Sequence, residues 1–210
     1  LLEGRREQGF RNRDFVVLYR TNAQSRAVEN ALRRSGIPYQ LTGGISFYER
    51  REVKEVIAYL RALVQPKDAV AWMRILNVPP RGIGRTTIDR LKGFAEERGL
   101  TIGEALAHQD LVLALGNAAA KKLHEVGRLF DVLRPYLAMS PPACLAELIA
   151  RVRYREYLGE ENPAEASERI ENVDEIIAGA EAYARRAEDP SIEGFLAEVA
   201  LLTDVDLWND

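Results

Sequence analysis

The sequence predicts a mainly α-helical protein: an all-helical domain with helix-hairpin-helix elements, preceded by a short β-α-β piece of an incomplete α/β domain. From residue 44 almost to the end, apolar residues recur with the i, i+3, i+4, i+7 spacing of one helical face. Proline and glycine clusters separate these periodic segments. Near the beginning, two short apolar runs instead flank a single helical segment, which is the pattern of a β-α-β unit.

The first predicted strand is DFVVLYR (14–20), whose apolar core is short, β-branched and nearly continuous. Continuous apolar runs are typical of strands buried on both faces of a parallel sheet. A helical segment follows and ends at Gly36, and IPYQLTGG (37–44) is the second predicted strand. Two strands and one helix cannot bury both faces of such a sheet. We therefore expect these elements to be part of a larger domain, unless another chain completes the sheet.

The remainder of the chain is predicted to be helical. The first long segment has an apolar stripe that includes Val53, Val56 and Leu60, and Pro66 ends it. Proline pairs at 79–80 and 141–142 mark later breaks. The predicted helices span residues 47–64, 68–77, 86–98, 101–108, 117–138, 143–157, 165–188 and 191–202.

Charge is distributed unevenly along the 210 residues. Residues 1–98 carry 19 Lys+Arg against 11 Asp+Glu, whereas residues 99–210 carry 10 against 21. This asymmetry indicates that the first half faces a polyanion and that the second is solvated scaffold or protein contact. The alternative is that the charge is only solubilising. No apolar run is long enough for a membrane span, so we expect no membrane contact and a cytoplasmic location.

No enzyme centre is evident in the sequence. There is no G-x-x-x-x-G-K-[ST] loop and no G-x-S-x-G elbow. Cys144 is the only cysteine, and His108 and His124 have no Cys or His nearby, which argues against a metal site. We therefore predict no catalytic residue and no metal ligand in this chain.

A binding feature stands out in VPPRGIGRTT (78–87), just before a predicted helix. A Gly-x-Gly turn that runs into a helix exposes backbone N–H groups beside the positive helix end, a combination that binds phosphate. Arginines would add charge and threonines further donors. The alternative is a plain helix connector with ordinary capping. A helix-hairpin-helix of this kind would grip a nucleic-acid backbone, and the predicted contacts are Arg81, Gly82, Ile83, Gly84, Arg85, Thr86 and Thr87.

Two further segments are candidate binding sites. The loop YRTNAQSR (19–26) follows the carboxyl end of a predicted strand, where α/β sheets place their ligands. In LGNAAAKKL (115–123), a Gly-Asn pair opens a helix with two lysines in its second turn. The alternative for both segments is ordinary helix capping with solvated cationic side chains.

Three blocks of sequence closely resemble the UvrD/PcrA/Rep helicases of superfamily one. They are VLYRTNAQSRAVENAL, IPYQLTGGISFYERREVKEVIAYLRALV and NVPPRGIGRTTIDRL. Their order and spacing match over residues 16–91, and RIENVDEI (169–176) extends the resemblance more loosely into the helical remainder. In that family the motor has two RecA-like domains, 1A and 2A, which carry the inserted domains 1B and 2B. ATP binds between 1A and 2A, and single-stranded DNA crosses their top.

The resemblance implies a division of the chain. Residues 1–42 would be a partial RecA-like 2A domain (its β-α-β arm), residues 43–207 the helical 2B domain, and residues 208–210 the start of the return to 2A. The Walker A loop, the acidic magnesium motif and the arginine finger of the family are not in this sequence. ATP and magnesium would therefore belong to the parent enzyme, with no cofactor in this fragment.

The resemblance also implies roles for individual residues. The GIG element of 2B contacts the duplex backbone ahead of the fork, and Gly82–Gly84 match it. Arg20, Asn22 and Arg26 match the 2A motif at the single-stranded DNA face. The hinge at the 2A–2B junction is matched by Gly43, Gly44, Phe47, Glu49 and Arg50.

The implied function is that of a DNA-binding 2A/2B fragment of an ATP-dependent 3′-5′ DNA helicase that unwinds DNA in repair or replication. Its partners would be DNA at a duplex/single-strand junction, the remainder of the helicase motor, and repair or transcription proteins. The alternative is a regulatory, protein-docking 2B module that binds DNA only weakly. An unrelated helical enzyme is a third possibility.

Overall fold

The computed structural model describes residues 10–18, 28–29, 31–32, 35–39 and 47–207. The last of these segments is helical almost throughout, which confirms the mainly α class. Its ten helices are α1 (Arg51–Val64), α2 (Ala69–Ile75), α3 (Arg85–Arg98), α4 (Ile102–Ala107), α5 (Leu111–Leu115), α6 (Asn117–Leu133), α7 (Pro141–Val152), α8 (Tyr154–Glu161), α9 (Ala166–Arg186) and α10 (Ile192–Leu207). Two 3₁₀ turns, Phe47–Glu49 and Arg134–Ala138, complete this part of the chain.

The predicted β-α-β piece falls largely outside the described residues. The structure describes residues 15–18 and 37–39 of the two predicted strands, and neither range forms a strand. A strand needs a neighbour to pair with its N–H and C=O groups, and the described residues supply none. The helical segment between them ends with Gly36 in the left-handed region, at φ +61°, as the sequence predicted. The β-α-β piece therefore stays a prediction.

Helix α1 lies at the centre of the core. Its predicted stripe is fully buried, with Val53, Val56 and Leu60 all 0% exposed. The helix packs against α2, α7, α9 and α10. A side chain buried among several helices loses most of its contact with water, which stabilises the fold by about 1.5–3 kcal/mol for each large aliphatic residue. The apolar stripe predicted from the sequence thus forms the centre of the hydrophobic core, where α1 contacts four other helices.

The segment predicted as one helix over residues 143–157 is broken in two. Arg153 separates α7 from α8 and has φ 57° and ψ 43°, a left-handed conformation that is uncommon for a residue with a side chain. The break turns Tyr154 into the core, where its hydroxyl donates to Glu55 Oε2 at 2.5 Å. The single helix was wrong because the sequence has no glycine or asparagine at this position to signal a stop.

Two other details depart from the predicted helices. Helix α6 ends at Leu133 rather than at residue 138, because Pro135 has no N–H to continue the helical ladder and the chain forms a 3₁₀ turn. Helix α5 was not predicted, since five residues are too few for a periodic pattern. None of the described helices is long and apolar enough to cross a membrane.

The packing of α3 to α6 brings two predicted features together. Helix α3 packs on α4 and α5, and both of these pack on α6. The turn that precedes α3 and the first turns of α6 are therefore neighbours, although about 40 residues separate them in sequence.

Candidate nucleic-acid interface

The turn between α2 and α3 is built around two fixed residues. The Asn77 side chain lies inside it, and its Oδ1 accepts the backbone N–H of Arg81 at 2.8 Å and that of Ile83 at 3.0 Å. The Ile83 side chain is 1% exposed and anchors the turn in the core. Gly82 between them has φ +65°, which a residue with a Cβ adopts only at a cost. The turn is thus held from inside and presents its glycines outward.

Four backbone donors of the turn have no acceptor within the described part of the chain: the N–H groups of Gly82, Gly84, Arg85 and Thr86. All four residues are exposed. The N–H groups of a first helical turn have no partner inside their own helix, and they carry the positive end of the helix dipole. This arrangement can accept an anion such as a phosphate.

The two glycines differ in what they require. Gly84 is the N-cap of α3 with φ −78° and ψ 169°, an extended conformation that any residue adopts. A Cβ built on Gly84 would meet nothing within 4 Å. A Cβ built on Gly82 would come within 2.6 Å of Lys122 Nζ. The backbone conformation therefore requires glycine at position 82 and does not require it at position 84.

Arg81 faces inward and does not supply flanking charge to the turn surface. Its guanidinium donates to the carbonyls of Ile75 at 2.9 Å, Leu76 at 3.1 Å and Val78 at 2.9 Å. It also donates to the Tyr59 hydroxyl at 2.6 Å. These bonds satisfy the carboxyl end of α2, where a cation is favoured. Arg81 is thus a brace for the turn.

The Tyr59 hydroxyl that receives Arg81 lies deep in the core. Burial raises the pKa of Tyr59, while the nearby Arg81 guanidinium opposes that shift. The hydroxyl is therefore neutral, and it donates to the Val78 carbonyl. This contact adds α1 to the elements that fix the turn.

Three cationic side chains flank the turn. The Arg85 side chain is 96% exposed, and its nearest described carboxylate, that of Asp89, lies 4.0 Å away. Lys122 of α6 donates to the Gly82 carbonyl at 2.9 Å. Arg90 of α3 donates to the Ala114 carbonyl at the end of α5, at 2.6 Å. The outward charge of this surface is positive.

The predicted junction residues that the structure describes belong to the helical domain. Phe47 is 1% exposed, and its 3₁₀ turn packs against α1 and α10. Arg50 is buried and donates to Asn172 Oδ1 of α9 at 2.5 Å, and Glu49 pairs with Lys54. The chain is therefore fixed to the domain from Phe47 onward.

Five predicted site residues lie outside the described part of the chain: Arg20, Asn22, Arg26, Gly43 and Gly44. Sequence reasoning did not single out Asn77 or Tyr59, and it did not connect Lys122 with Gly82. Only Asn77 carries a local signal, because an Asx side chain often accepts backbone N–H groups in the turn that follows it. Among the described residues, no three His, Cys, Asp or Glu side chains are grouped so that they could hold a metal ion.

Comparison with known proteins decides the family. The UvrD-like helicase C-terminal domain matches residues 2–209. The chain belongs to this family. The resemblance to UvrD/PcrA/Rep helicases, drawn from residues 16–91, is thereby confirmed and extends over nearly the whole chain.

Individual members of the UvrD-like family support the same assignment. The chain is 35% identical over 196 residues to the ATP-dependent DNA helicase PcrA of Bacillus subtilis, a match that covers 92% of this chain and 26% of that protein. It is 30% identical over 200 residues to the PcrA of Staphylococcus aureus strain Mu50, covering 94% of this chain and 27% of that protein. The PcrA of Staphylococcus epidermidis is 30% identical over 195 residues, with 92% and 27% covered. The chain thus spans about a quarter of the length of these curated relatives.

Proposed function

We propose that this chain is the 2A/2B portion of an ATP-dependent 3′-5′ DNA helicase and that it holds the backbone of duplex DNA at the turn before α3. The observation that carries this proposal is a set of four N–H groups, on the exposed residues Gly82, Gly84, Arg85 and Thr86, that have no acceptor among the described residues. The names of the relatives, ATP-dependent DNA helicase PcrA, support the parent activity.

In the proposed mode, α2, the turn and α3 act as a helix-hairpin-helix that grips phosphate. The backbone N–H groups donate to phosphate oxygens, and the Arg85 guanidinium adds charge from an exposed position. The Thr86 and Thr87 hydroxyls are further donors, and Ile83 and Arg81 fix the turn. Contacts of this kind position a protein on the duplex without reading bases, so binding is independent of sequence.

Gly84 gives this mode its clearest support. Neither its backbone conformation nor its packing requires glycine, since a Cβ there would meet only open space. Glycine is accepted as a helix N-cap about as well as threonine, but it has no side chain to bond to the first turn, as Ser, Asp or Asn would. A glycine in this position leaves room for a ligand to approach the backbone closely.

The pairing of charges supports the turn surface over the acidic half as the DNA-binding face. In α7–α10 the arginines are engaged by carboxylates: Arg155 with Asp174 at 2.5 Å and Arg186 with Glu198 at 2.6 Å are examples. Arg169 likewise bonds to Glu165 at 2.6 Å. A neutralised arginine offers little to a phosphate. Lys122 has no carboxylate within salt-bridge distance among the described residues, and the 96% exposed Arg85 has only the Asp89 carboxylate, at 4.0 Å.

For the rest of the chain we propose the family's domain plan. Residues 1–42 would be part of 2A, with Arg20, Asn22 and Arg26 at the single strand, and residues 43–207 would be 2B. Gly43 and Gly44 would then form the hinge, and residues 208–210 would begin the return to 2A. ATP and magnesium would bind to other parts of the parent motor, and repair or transcription proteins would dock on 2B.

The test is a salt titration of binding to a forked duplex, measured by fluorescence anisotropy. Two or three phosphate contacts predict that log K falls with log salt at a slope of about −2 to −3. Forks of unrelated sequence should bind equally. No binding at about 50 mM salt, where such contacts are strong, would contradict the proposal and favour the protein-docking alternative.

A further inference from the structure

The ammonium group of Lys122 lies directly against the turn. Lys122 is in the second turn of α6, and its Nζ donates to the Gly82 carbonyl at 2.9 Å. A Cβ built on Gly82 would stand 2.6 Å from that Nζ. Since a Cα–Cβ bond is about 1.5 Å long, the ammonium lies within about 4 Å of the Gly82 Cα. The end of the Lys122 side chain therefore occupies the space that a side chain at position 82 would fill.

Lys122 and Asn77 hold one peptide group from its two sides. The carbonyl of Gly82 and the N–H of Ile83 belong to the same planar peptide and point in opposite directions. The carbonyl accepts Lys122, and the N–H donates to Asn77 Oδ1 at 3.0 Å. The orientation of this peptide is thus set by Asn77, at the start of the turn, and by Lys122 of helix α6.

The charge of Lys122 is not neutralised by the protein. No carboxylate of the described residues lies within salt-bridge distance of it, whereas Lys54, for comparison, is paired with Glu49. An ammonium has three N–H donors, and the Gly82 carbonyl uses one of them. The remaining donors are held close to the Gly82 Cα, because the hydrogen bond to the Gly82 carbonyl fixes the end of the lysine side chain.

We propose that Lys122 is a further ligand of the DNA phosphate bound at Gly82–Thr86, so that helix α6 adds a second positive charge to the site. This inference rests on the proposed function. A phosphate oxygen that accepts the Gly82 N–H would lie about 2.7–3.2 Å from that nitrogen. A second oxygen of the same phosphate then comes within reach of Nζ. The ammonium both fixes the Gly82 peptide and binds the anion.

The chain offers a matched pair of variants to test this. Lys122→Gln and Lys121→Gln remove the same charge from adjacent positions of α6, but Lys121 is exposed and makes no hydrogen bond or ion pair with the turn. For Lys122→Gln we expect about tenfold weaker binding to the forked duplex, as for loss of one charge-assisted hydrogen bond. The salt slope should become shallower by about 0.9. Lys121→Gln should change affinity less than about twofold, since it removes only distant charge.

Three outcomes decide the matter. Lys122→Arg should recover most of the affinity and the slope, because it restores the charge. Equal effects of the two glutamine variants would overturn the proposal, since the charge would then act only at long range. Weaker binding by Lys122→Gln with an unchanged slope would also overturn it, because replacing a lysine that only braces the turn removes no phosphate contact.

A Gly84→Ala variant separates this inference from the proposed function. If Gly84→Ala loses binding and Lys122→Gln does not, the turn binds DNA and Lys122 is not a ligand. If the unaltered chain does not bind the fork, both proposals fail together. Circular dichroism of each variant establishes that the helices are intact before a loss is assigned to the site.

Discussion

Replacing Gly82 or Gly84 with alanine should affect the protein differently: Gly82→Ala should lower both stability and DNA affinity, whereas Gly84→Ala should lower DNA affinity alone. In Gly82→Ala the new residue must adopt φ +65°, and its Cβ displaces the Lys122 ammonium from a position 2.6 Å away. Left-handed backbone costs about 1–2 kcal/mol for a residue with a side chain. We therefore expect the free energy of unfolding to fall by about that amount.

In Gly84→Ala the folded chain meets no such cost. The backbone is already extended, and the Cβ would meet nothing within 4 Å. Alanine is a poorer N-cap than glycine, but it also restricts the unfolded chain, and the two effects nearly offset each other. The free energy of unfolding should stay within about 1 kcal/mol of the parent value.

DNA binding should respond to both changes. The methyl group that Gly84→Ala introduces stands where a phosphate must approach, and the loss of one charge-assisted hydrogen bond of about 1.5–3 kcal/mol lowers affinity about tenfold or more. Urea unfolding measures the stability of each variant, and anisotropy with a forked duplex measures affinity. Gly93→Ala, also in α3 and with open space at its Cβ, is the matched control. If Gly84→Ala binds the fork as tightly as the parent, no ligand approaches that glycine and the proposed contact is refuted.

Three further predictions concern side chains that the structure places in specific contacts. Arg81→Met should lower the free energy of unfolding by about 1.5–3 kcal/mol in urea titrations, because several carbonyls lose a charged donor. The salt slope of DNA binding should stay unchanged, and a shallower slope would contradict the inward role of Arg81. Gly194→Ala should destabilise by about 1–3 kcal/mol, since its Cβ would collide with the Tyr183 hydroxyl, and Tyr183→Phe should recover most of that loss in a double-mutant cycle. Burial raises the pKa of Glu55 above its usual 4.5, so the folded state favours the protonated carboxyl. This stabilisation is complete below pH 4.5 and is lost as the pH rises through the raised pKa. Glu55→Gln should remove that part of the pH dependence when urea midpoints are compared between pH 4.5 and about 7, and parallel curves would show that Glu55 does not titrate in this window.

The helices were largely predictable because their signals are local. The stripe of Val53, Val56 and Leu60 follows from a period of 3.6 residues, and all three side chains are buried as expected. Where a local signal was missing, prediction failed. Arg153 breaks a helix without a glycine, because burying Tyr154 beside Glu55 favours a conformation that the residue itself disfavours.

The candidate site shows the same division. The sequence alone determined that a glycine turn opens a helix among arginines and that the chain resembles one helicase family. Only the tertiary structure decided that Arg81 turns inward while Arg85 stays exposed, since both are arginines beside a glycine. It also decided that Lys122 meets Gly82, which lies 40 residues away. The backbone conformation of a turn depends on residues close in sequence, so a local sequence pattern predicts it. The partner of a long cationic side chain depends on how separate helices pack, and a local pattern does not record that.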